Sequence, residues 1–308
     1  MDLSDRDGLI WLDGEMVPWR EAKVHVLTHT LHYGLGVFEG VRAYNTADRG
    51  TCIFRLKEHT DRLFRSAHIL AMDVPFDKQT LNDAQCKVVR DNGLEEGYLR
   101  PMCFYGSEGM GLRADNLRTH VMVAAWEWPS YMDPDARVRG IKVRTSSFTR
   151  HHVNITMCKA KANGNYINSM MALKEALDSG AEEALMLDNE GYVAEGSGEN
   201  VFIIRDDVIY TPDLTSCLDG ITRATIFTLA EELGYKIREK RITRDEVYIA
   251  DEAFFTGTAA EVVPIREVDG RSIGSGSRGP LTEKLQTMYF DSVRGNRSQN
   301  SEWRAPVA

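Results

Sequence analysis

Apolar and polar positions alternate on both sides of a tight turn near the start of the chain: Leu9-Ile10-Trp11-Leu12, then Asp13-Gly14, then Met16-Val17. An Asp-Gly pair between two short apolar runs predicts a β-hairpin over residues 8–18, because these residues accept the positive φ of a two-residue turn. Val24 to Tyr44 is rich in His and Gly, and its second half, Val37-Phe38-Glu39-Gly40-Val41-Arg42-Ala43-Tyr44, alternates as one strand would. Another strand is expected at Thr51–Arg55. The period then lengthens. Leu63, Ala67 and Leu70 share one face of a helix predicted from Leu56 to Met72, and a second helix runs from Leu81 to Asn92 with Gly93 closing it. Tyr98–Tyr105 and His120–Trp128 read as buried strands. Strands with two helices and no regular β-α-β wind make residues 1–127 an α+β domain.

Residues 128–137 carry two prolines and few apolar side chains, which predicts a linker. Residues 138–308 then form a second domain. Strands are expected at Ile141–Ser146, Glu183–Leu187, Ala253–Thr256 and Val262–Val268, with Val201–Arg205 and Val208–Thr211 paired across Asp206-Asp207. Helices are expected from Ile167 to Ser179, from Gly220 to Gly234 with Ile226, Leu229, Ala230 and Leu233 inward, and over Leu281–Val293 after Pro280. The polar tail from Gly295 is expected to fray.

Composition narrows the function. With 308 residues the chain can bury a sizeable core, and a net charge of −9 disfavours nucleic acid and anionic membranes as partners. No apolar run approaches the ~20 residues of a membrane helix. The acidic, polar stretch Met1–Gly8 does not read as a signal peptide. The five cysteines, Cys52, Cys86, Cys103, Cys158 and Cys217, are scattered and odd in number, which suits a reducing cytoplasm better than a disulfide framework or a C-x-x-C metal site.

Several motifs dissolve on inspection. Gly274-x-Gly276-x-x-Gly279 precedes a helix, but too little chain follows for the β-α-β unit a dinucleotide site needs. Gly196-Ser197-Gly198 lacks the spacing of a G-x-S-x-G nucleophile elbow. His25, His29 and His32 have helical spacing but begin in a stretch, Lys23–Leu27, that reads as extended, so a metal site built on them, and the metal-dependent hydrolase it would imply, ranks last. The region from Cys158 to Asn200 is different. Lys161 stands among Ala160, Ala162 and Gly164, which leave room for a ring, and burial there would lower its amine pKa and make it a nucleophile. Lys159 is a competing lysine on these grounds. Glu195 lies in a glycine-rich turn after an apolar run. An amine for a Schiff base and a carboxylate for a pyridine nitrogen are what pyridoxal phosphate asks of a protein. The helix start at Gly220-Ile221-Thr222-Arg223 offers amides and a hydroxyl to a phosphate, Thr256-Gly257-Thr258-Ala259-Ala260 could add more, and Arg62 could add charge.

These stretches taken together resemble the class IV pyridoxal-phosphate aminotransferases, of fold type IV, and among them the bacterial branched-chain amino acid enzymes. The resemblance rests on His29-Thr-Leu-His-Tyr33-Gly, Phe38-Glu-Gly-Val-Arg-Ala-Tyr44, Glu58-His-Thr-Asp-Arg62-Leu, Tyr98-Leu-Arg100-Pro, Lys161-Ala-Asn-Gly-Asn-Tyr166, Glu195-Gly-Ser-Gly-Glu-Asn200, Gly220-Ile-Thr222-Arg and Gly257-Thr258-Ala259-Ala-Glu, in family order from about residue 8 to about residue 290. Asn163 departs from the pattern, where a small residue, often glycine, is expected. The resemblance implies a smaller N-terminal α/β domain and a larger C-terminal mixed, barrel-like sheet with helices. It makes Lys161 the Schiff-base lysine in preference to Lys159, and Glu195 the partner of the pyridine nitrogen. It gives Tyr166 the ring's phenolic oxygen, and Arg62, Ile221, Thr222 and Thr258 the phosphate. Tyr98, Arg100 and the Thr258-Ala259 turn would receive substrate carboxylates, and Phe38, Trp128, Tyr33 and Tyr131 would line an apolar pocket. In the family Tyr33, Tyr131 and the Met110-Gly111-Leu112 loop can come from a neighbouring subunit, which implies a homo-oligomer, a dimer at least, with hexamers among bacterial members. The implied reaction moves the amino group of L-leucine, L-isoleucine or L-valine to 2-oxoglutarate in the cytoplasm, with no metal. A D-amino acid aminotransferase and an aminodeoxychorismate lyase share the fold and rank lower, on the Phe38–Tyr44 and Tyr98–Pro101 stretches.

Overall fold

The structure, a computed structural model, describes residues 2–113, 115–128 and 135–307. Most of the expected linker, Tyr131 included, lies outside the described residues. The chain forms two compact units. One comprises Met1–Pro129, Ala160–Gly164 and Ser292–Ala308, the other Ser130–Lys159 and Asn165–Asp291.

In the first unit an antiparallel sheet runs in the spatial order Arg304–Pro306, Gly50–Phe54, Val41–Thr46, Gly97–Tyr105, Thr119–Trp126, Leu9–Leu12 and Glu15–Pro18, with Gly36–Phe38 also on Gly97–Tyr105. The hairpin forms as its turn residues predict, pairing Leu12 with Glu15. The helix Leu56–Ile69 follows Arg55, whose φ of 54° turns the chain out of the preceding strand. The helix Lys78–Asp91 starts three residues earlier than its apolar pattern suggests, because the Asp77 carboxylate caps the Thr80 N–H at 2.7 Å. Leu63, Leu81 and Val88 from these helices close over Val37, Val41, Leu99, Val121 and Val123 of the sheet. Each such side chain contributes about 1.5–3 kcal/mol by leaving water.

The single strand expected over Val37–Tyr44 is two strands, Gly36–Phe38 and Val41–Thr46, broken at Glu39-Gly40. The neighbouring strand supplies a reason. Phe38 pairs with Met102 and Val41 with Leu99, so the gap faces Arg100 and Pro101, and a proline has no N–H to give a ladder. What remains is one bond, from the Glu39 N–H to the Pro101 carbonyl at 2.8 Å. Gly40 is needed there, since a Cβ would overlap the Tyr98 hydroxyl. The expected frayed tail is also corrected. Arg304–Pro306 is the edge strand against Gly50–Phe54, Trp303 packs on Phe54 with Arg55 4.7 Å above its ring, and the Arg304 side chain is buried on Asp48 and the Ser292 carbonyl.

In the second unit the order is Val193–Gly196, Glu183–Leu187, Ile141–Thr145, Glu261–Val268, Glu252–Gly257, Asn200–Arg205, Val208–Thr211 and Ile237–Glu239, with Arg271–Ser272 on Glu261–Val268. Ile141–Thr145 is parallel to both of its neighbours, and Ile237–Glu239 is parallel to Val208–Thr211. This mixed sheet curls into a half-barrel around Ile141, Leu185, Val201, Phe255, Val263 and Ile265. Strands and helices together are the expected α+β mixture. The G-x-G-x-x-G stretch leads into the helix Pro280–Arg294, but the Glu252 carboxylate already accepts the Leu281 and Thr282 N–H groups, at 2.9 and 2.7 Å.

Candidate active site

In the first unit the helix Leu56–Ile69 turns a polar stripe inward. His59, Arg62 and Ser66 are three and four residues apart, hence on one face, and all three are buried. The broken strand brings Glu39 to them. Its carboxylate takes Arg62 Nε on Oε1 at 2.7 Å and Nη2 on Oε2 at 2.9 Å, and His59 Nδ1 lies 2.7 Å from Oε2. Glu39 is wholly buried. Burial alone would raise its carboxyl pKa, but the Arg62 guanidinium and His59 outweigh it and hold the group far below the usual range. His59 moves down, chiefly through burial, which Glu39 offsets only in part.

Lys161 lies beside this cluster with its backbone fixed at both ends. Its N–H donates to Ser66 Oγ at 3.0 Å, and its carbonyl accepts the Phe38 N–H at 3.0 Å. Ala162 bridges to Val37, and Gly164 N–H reaches the Gly34 carbonyl at 3.1 Å. The Lys161 amine is 5.0 Å from the centre of the Phe38 ring, and the Arg100 guanidinium is 4.7 Å from the same centre and 5.7 Å from that of Tyr98. Tyr98 also meets the edge of Trp128, with ring centres 4.5 Å apart. Phe38, Tyr98, Arg100, Trp128 and Lys161 are therefore brought together. Asn163 leaves its amide oxygen buried with no hydrogen-bond partner among the described residues.

Tyr33 belongs to another group. Its hydroxyl accepts the Gly111 N–H at 3.1 Å while His29 Nε2 lies 2.7 Å from the Gly111 carbonyl, so both backbone groups of Gly111, the middle of the Met110-Gly111-Leu112 loop, are held by the short helix His29–Tyr33. The side chains of Tyr33, Met110 and Leu112 are exposed. The three histidines each meet a backbone group: His32 the Val26 carbonyl, His25 the Leu27 N–H, and His29 as described.

In the second unit Glu195 stands on Val193–Gly196 where the strand slips register, a bulge that re-aims its side chain. Its Oε1 is 2.8 Å from Arg150 Nε in an ion pair buried on both sides, and its Oε2 accepts Leu218 N–H at 3.3 Å and Asn200 Nδ2 at 3.4 Å. Leu218 leads to Gly220, the cap of the helix Ile221–Glu232. No side chain among the described residues caps that end, and a Cβ at Gly220 would overlap the Asn200 amide oxygen. Ile221 and Thr222 are buried at the helix start. Thr258 and Ala259 occupy the turn after Glu252–Gly257, and the Thr256 hydroxyl beside it is buried with no partner among the described residues. Tyr166, half-buried, is the first residue of Tyr166–Asp178. The Lys159 amine is engaged by the carbonyls of Leu214 and Cys217.

Sequence reasoning did not give a role to Glu39, Ser66, Arg150 or Asn200. Glu39, the charged residue interrupting an alternating strand, and Asn200, the end of the Glu195–Asn200 stretch, carried a signal, and Ser66 and Arg150 carried none.

The family described as amino-transferase class IV matches residues 36–268. A Pseudomonas aeruginosa protein named branched-chain-amino-acid aminotransferase is 68% identical over 307 residues, covering 100% of both chains. The Escherichia coli K12 protein of that name is 43% identical over 296 residues, 96% of each chain. Among solved structures, a branched-chain amino acid aminotransferase from T.th., with pyridoxamine 5'-phosphate, has a TM-score of 0.96 at 47% identity, covering 98% of this chain and 99% of its own. The Escherichia coli enzyme has a TM-score of 0.96 at 42% identity, covering 98% and 100%.

Proposed function

The chain belongs to the class IV amino-transferases, with their fold type IV architecture, and on that footing we propose that it moves the amino group of L-leucine, L-isoleucine or L-valine to 2-oxoglutarate with pyridoxal 5'-phosphate as cofactor. The observation that carries the reading is Lys161, held by its backbone at both ends with its amine beside an aromatic wall. The Lys159 amine is engaged by the carbonyls of Leu214 and Cys217.

The residues suit the cofactor on their own chemistry. In the second unit the helix start at Ile221 and Thr222, without a side-chain cap among the described residues, and the Thr256 hydroxyl beside Thr258, buried with no partner among them, are donors of the kind a phosphate takes, and in the first unit so is the guanidinium of Arg62. Glu195, with Arg150 against it, is an acceptor for a ring N–H, and Tyr166 is a donor for a phenolic oxygen. When bound, pyridoxal phosphate supplies an aldehyde for amines and a ring that takes up the electron pair released at the substrate Cα.

The rest belongs to the protein. Lys161 Nζ would take the proton from the Cα of the amino acid and deliver it, within the same half-reaction, to the carbon that the cofactor presents, and would run that transfer in reverse for 2-oxoglutarate, a positioned acid–base step. Phe38 and Trp128 exclude water from the branched side chain, and Arg100 with Tyr98 takes the side-chain carboxylate of glutamate and 2-oxoglutarate. The two half-reactions alternate on one site, so the kinetics are ping-pong. A homodimer at least is proposed, supported by the exposed Tyr33, Met110 and Leu112, with Tyr131 as a further contributor. The proposed location is the cytoplasm. No helix among the described residues is long and apolar enough to cross a membrane.

The visible spectrum tests this. The purified protein should carry an absorbing cofactor whose band bleaches with L-leucine and returns with 2-oxoglutarate, and Lys161→Ala should lose both changes while Lys159→Ala keeps them. A band that answers D-alanine and not L-leucine would replace the substrate. A protein that stays colourless with added pyridoxal phosphate would remove the reading.

A further inference from the structure

The Glu39–Arg62–His59 cluster does more than fill the core, and resting on the reading of Arg62 as a phosphate ligand, we infer that Glu39 is the positioning residue that aims Arg62 at the cofactor phosphate, with His59 as its brace. A guanidinium has five N–H donors in one plane. Glu39 takes the Nε edge with both oxygens, 2.7 Å to Nε and 2.9 Å to Nη2, which fixes the plane and the direction of the remaining edge. His59 Nδ1, 2.7 Å from Oε2, stops the carboxylate from turning about its own bond. Each member is at least 97% buried, with exposures of 0%, 3% and 2%, so the geometry is not averaged by water.

The chain connects this cluster to the reacting lysine. Glu39 follows Phe38, whose N–H holds the Lys161 carbonyl, and Ser66, one helical turn beyond Arg62, holds the Lys161 N–H. The frame that orients the lysine and the frame that orients the arginine share a strand end and a helix face. The low pKa values of Glu39 and His59 agree with a cluster of one carboxylate, one guanidinium and one neutral imidazole, with no net charge.

Two effects of removing the Glu39 charge oppose each other. An uncompensated buried guanidinium attracts an anion more strongly. A Glu39→Gln side chain, however, must turn its NH2 toward Arg62, at Nε from the Oε1 position or at Nη2 from the Oε2 position, donor against donor either way, and push the guanidinium off its line. A charge-assisted hydrogen bond to the phosphate lost in this way is worth about 10-fold or more in affinity. If Glu39 positions Arg62, the second effect wins.

The test compares binding of pyridoxal 5'-phosphate and pyridoxal to the apoprotein, with 31P NMR of inorganic phosphate on the same samples. Glu39→Gln and the shorter Glu39→Asp are measured beside Arg62→Lys, with circular dichroism to confirm folding. Expected is a fall of about 10-fold or more in the preference for the phosphorylated form in Glu39→Gln, pyridoxal affinity within about 3-fold of wild type, and a displaced 31P resonance. Should Glu39→Gln not fold, Glu39→Asp carries the comparison. A preference that rises or stays constant in the Glu39 variants, while falling in Arg62→Lys, would make Glu39 a counter-charge only and overturn the inference alone. An unchanged preference in Arg62→Lys would remove the phosphate role of Arg62, and the inference with it.

Discussion

The backbone N–H of Lys161 donates to the hydroxyl of Ser66, on the inward face of the helix Leu56–Ile69, at 3.0 Å. Ser66→Ala leaves a buried amide without its acceptor, which costs about 1–3 kcal/mol. Since Lys161 keeps its amine, the cofactor stays bound while the lysine loses its alignment. The expected result is a kcat for leucine lowered about 10-fold with KM nearly unchanged, in steady-state kinetics beside a melting curve. An unaltered kcat would show that the Phe38 bond alone is sufficient.

Arg150 is the counter-charge of Glu195. Arg150→Met would strand a buried carboxylate, and breaking such a pair costs about 3–5 kcal/mol. Thermal unfolding should start well below wild type, and Arg150→Lys should recover part of the loss because it restores charge without the planar fork. Equal melting of Arg150→Met and wild type would mean that Leu218 and Asn200 suffice to hold Glu195.

Arg100 is expected to discriminate between substrates. Its Nε is buried without a hydrogen-bond partner among the described residues, and its charge lies over Phe38. Arg100→Ala should lower kcat/KM for 2-oxoglutarate and glutamate by about 100-fold and for leucine by less than about 5-fold. The check is kcat/KM for the three substrates separately. Equal losses would assign Arg100 a purely structural part.

Arg304 is buried against Asp48, two backbone carbonyls and the strand Gly50–Phe54. Arg304→Met should destabilise by about 2 kcal/mol, discounted from the full cost of a buried pair because the Asp48 side chain is 34% exposed. Denaturant titration should show a lower midpoint at unchanged slope. No shift in the midpoint would return the tail to a decorative role.

His151 sets a pH dependence of stability. Burial, with the neighbouring Arg150 guanidinium, pushes its pKa down from 6.5 to about 4. Between those values the unfolded chain binds a proton that the folded protein does not, so stability is full above pH 6.5 and falls as the pH drops toward about 4. For a half-buried ring the loss is on the order of 1 kcal/mol. The melting temperature of His151→Gln should fall less than that of wild type from pH 7 to pH 5, and parallel curves would refute the assignment.

How much of this was legible depends on the range of the interaction. The Asp13-Gly14 hairpin, the helix from Leu56 and the paired strands across Asp206-Asp207 follow from neighbours along the chain, and they form as expected. The break at Glu39-Gly40 did not follow, because its causes are a proline and an arginine distant in sequence that alternation cannot register. The same holds for the tail, polar by composition yet ordered through Asp48 and Phe54. Arg150 and Ser66 carry no local pattern, and their partners, Glu195 and Lys161, are 45 and 95 positions away.

The order in which a ribosome delivers this chain differs from the order in which it packs. Asp48 and Arg304 are 256 positions apart, and Ala160–Gly164 joins a unit whose first 129 residues have already emerged. During synthesis that first stretch has Gly50–Phe54 as an uncovered sheet edge, a template for pairing with other nascent chains until Arg304–Pro306 arrives. A chain stopped shortly after residue 291 would contain every residue proposed for the chemistry and still expose that edge, so premature termination there is expected to favour aggregation over a shortened enzyme.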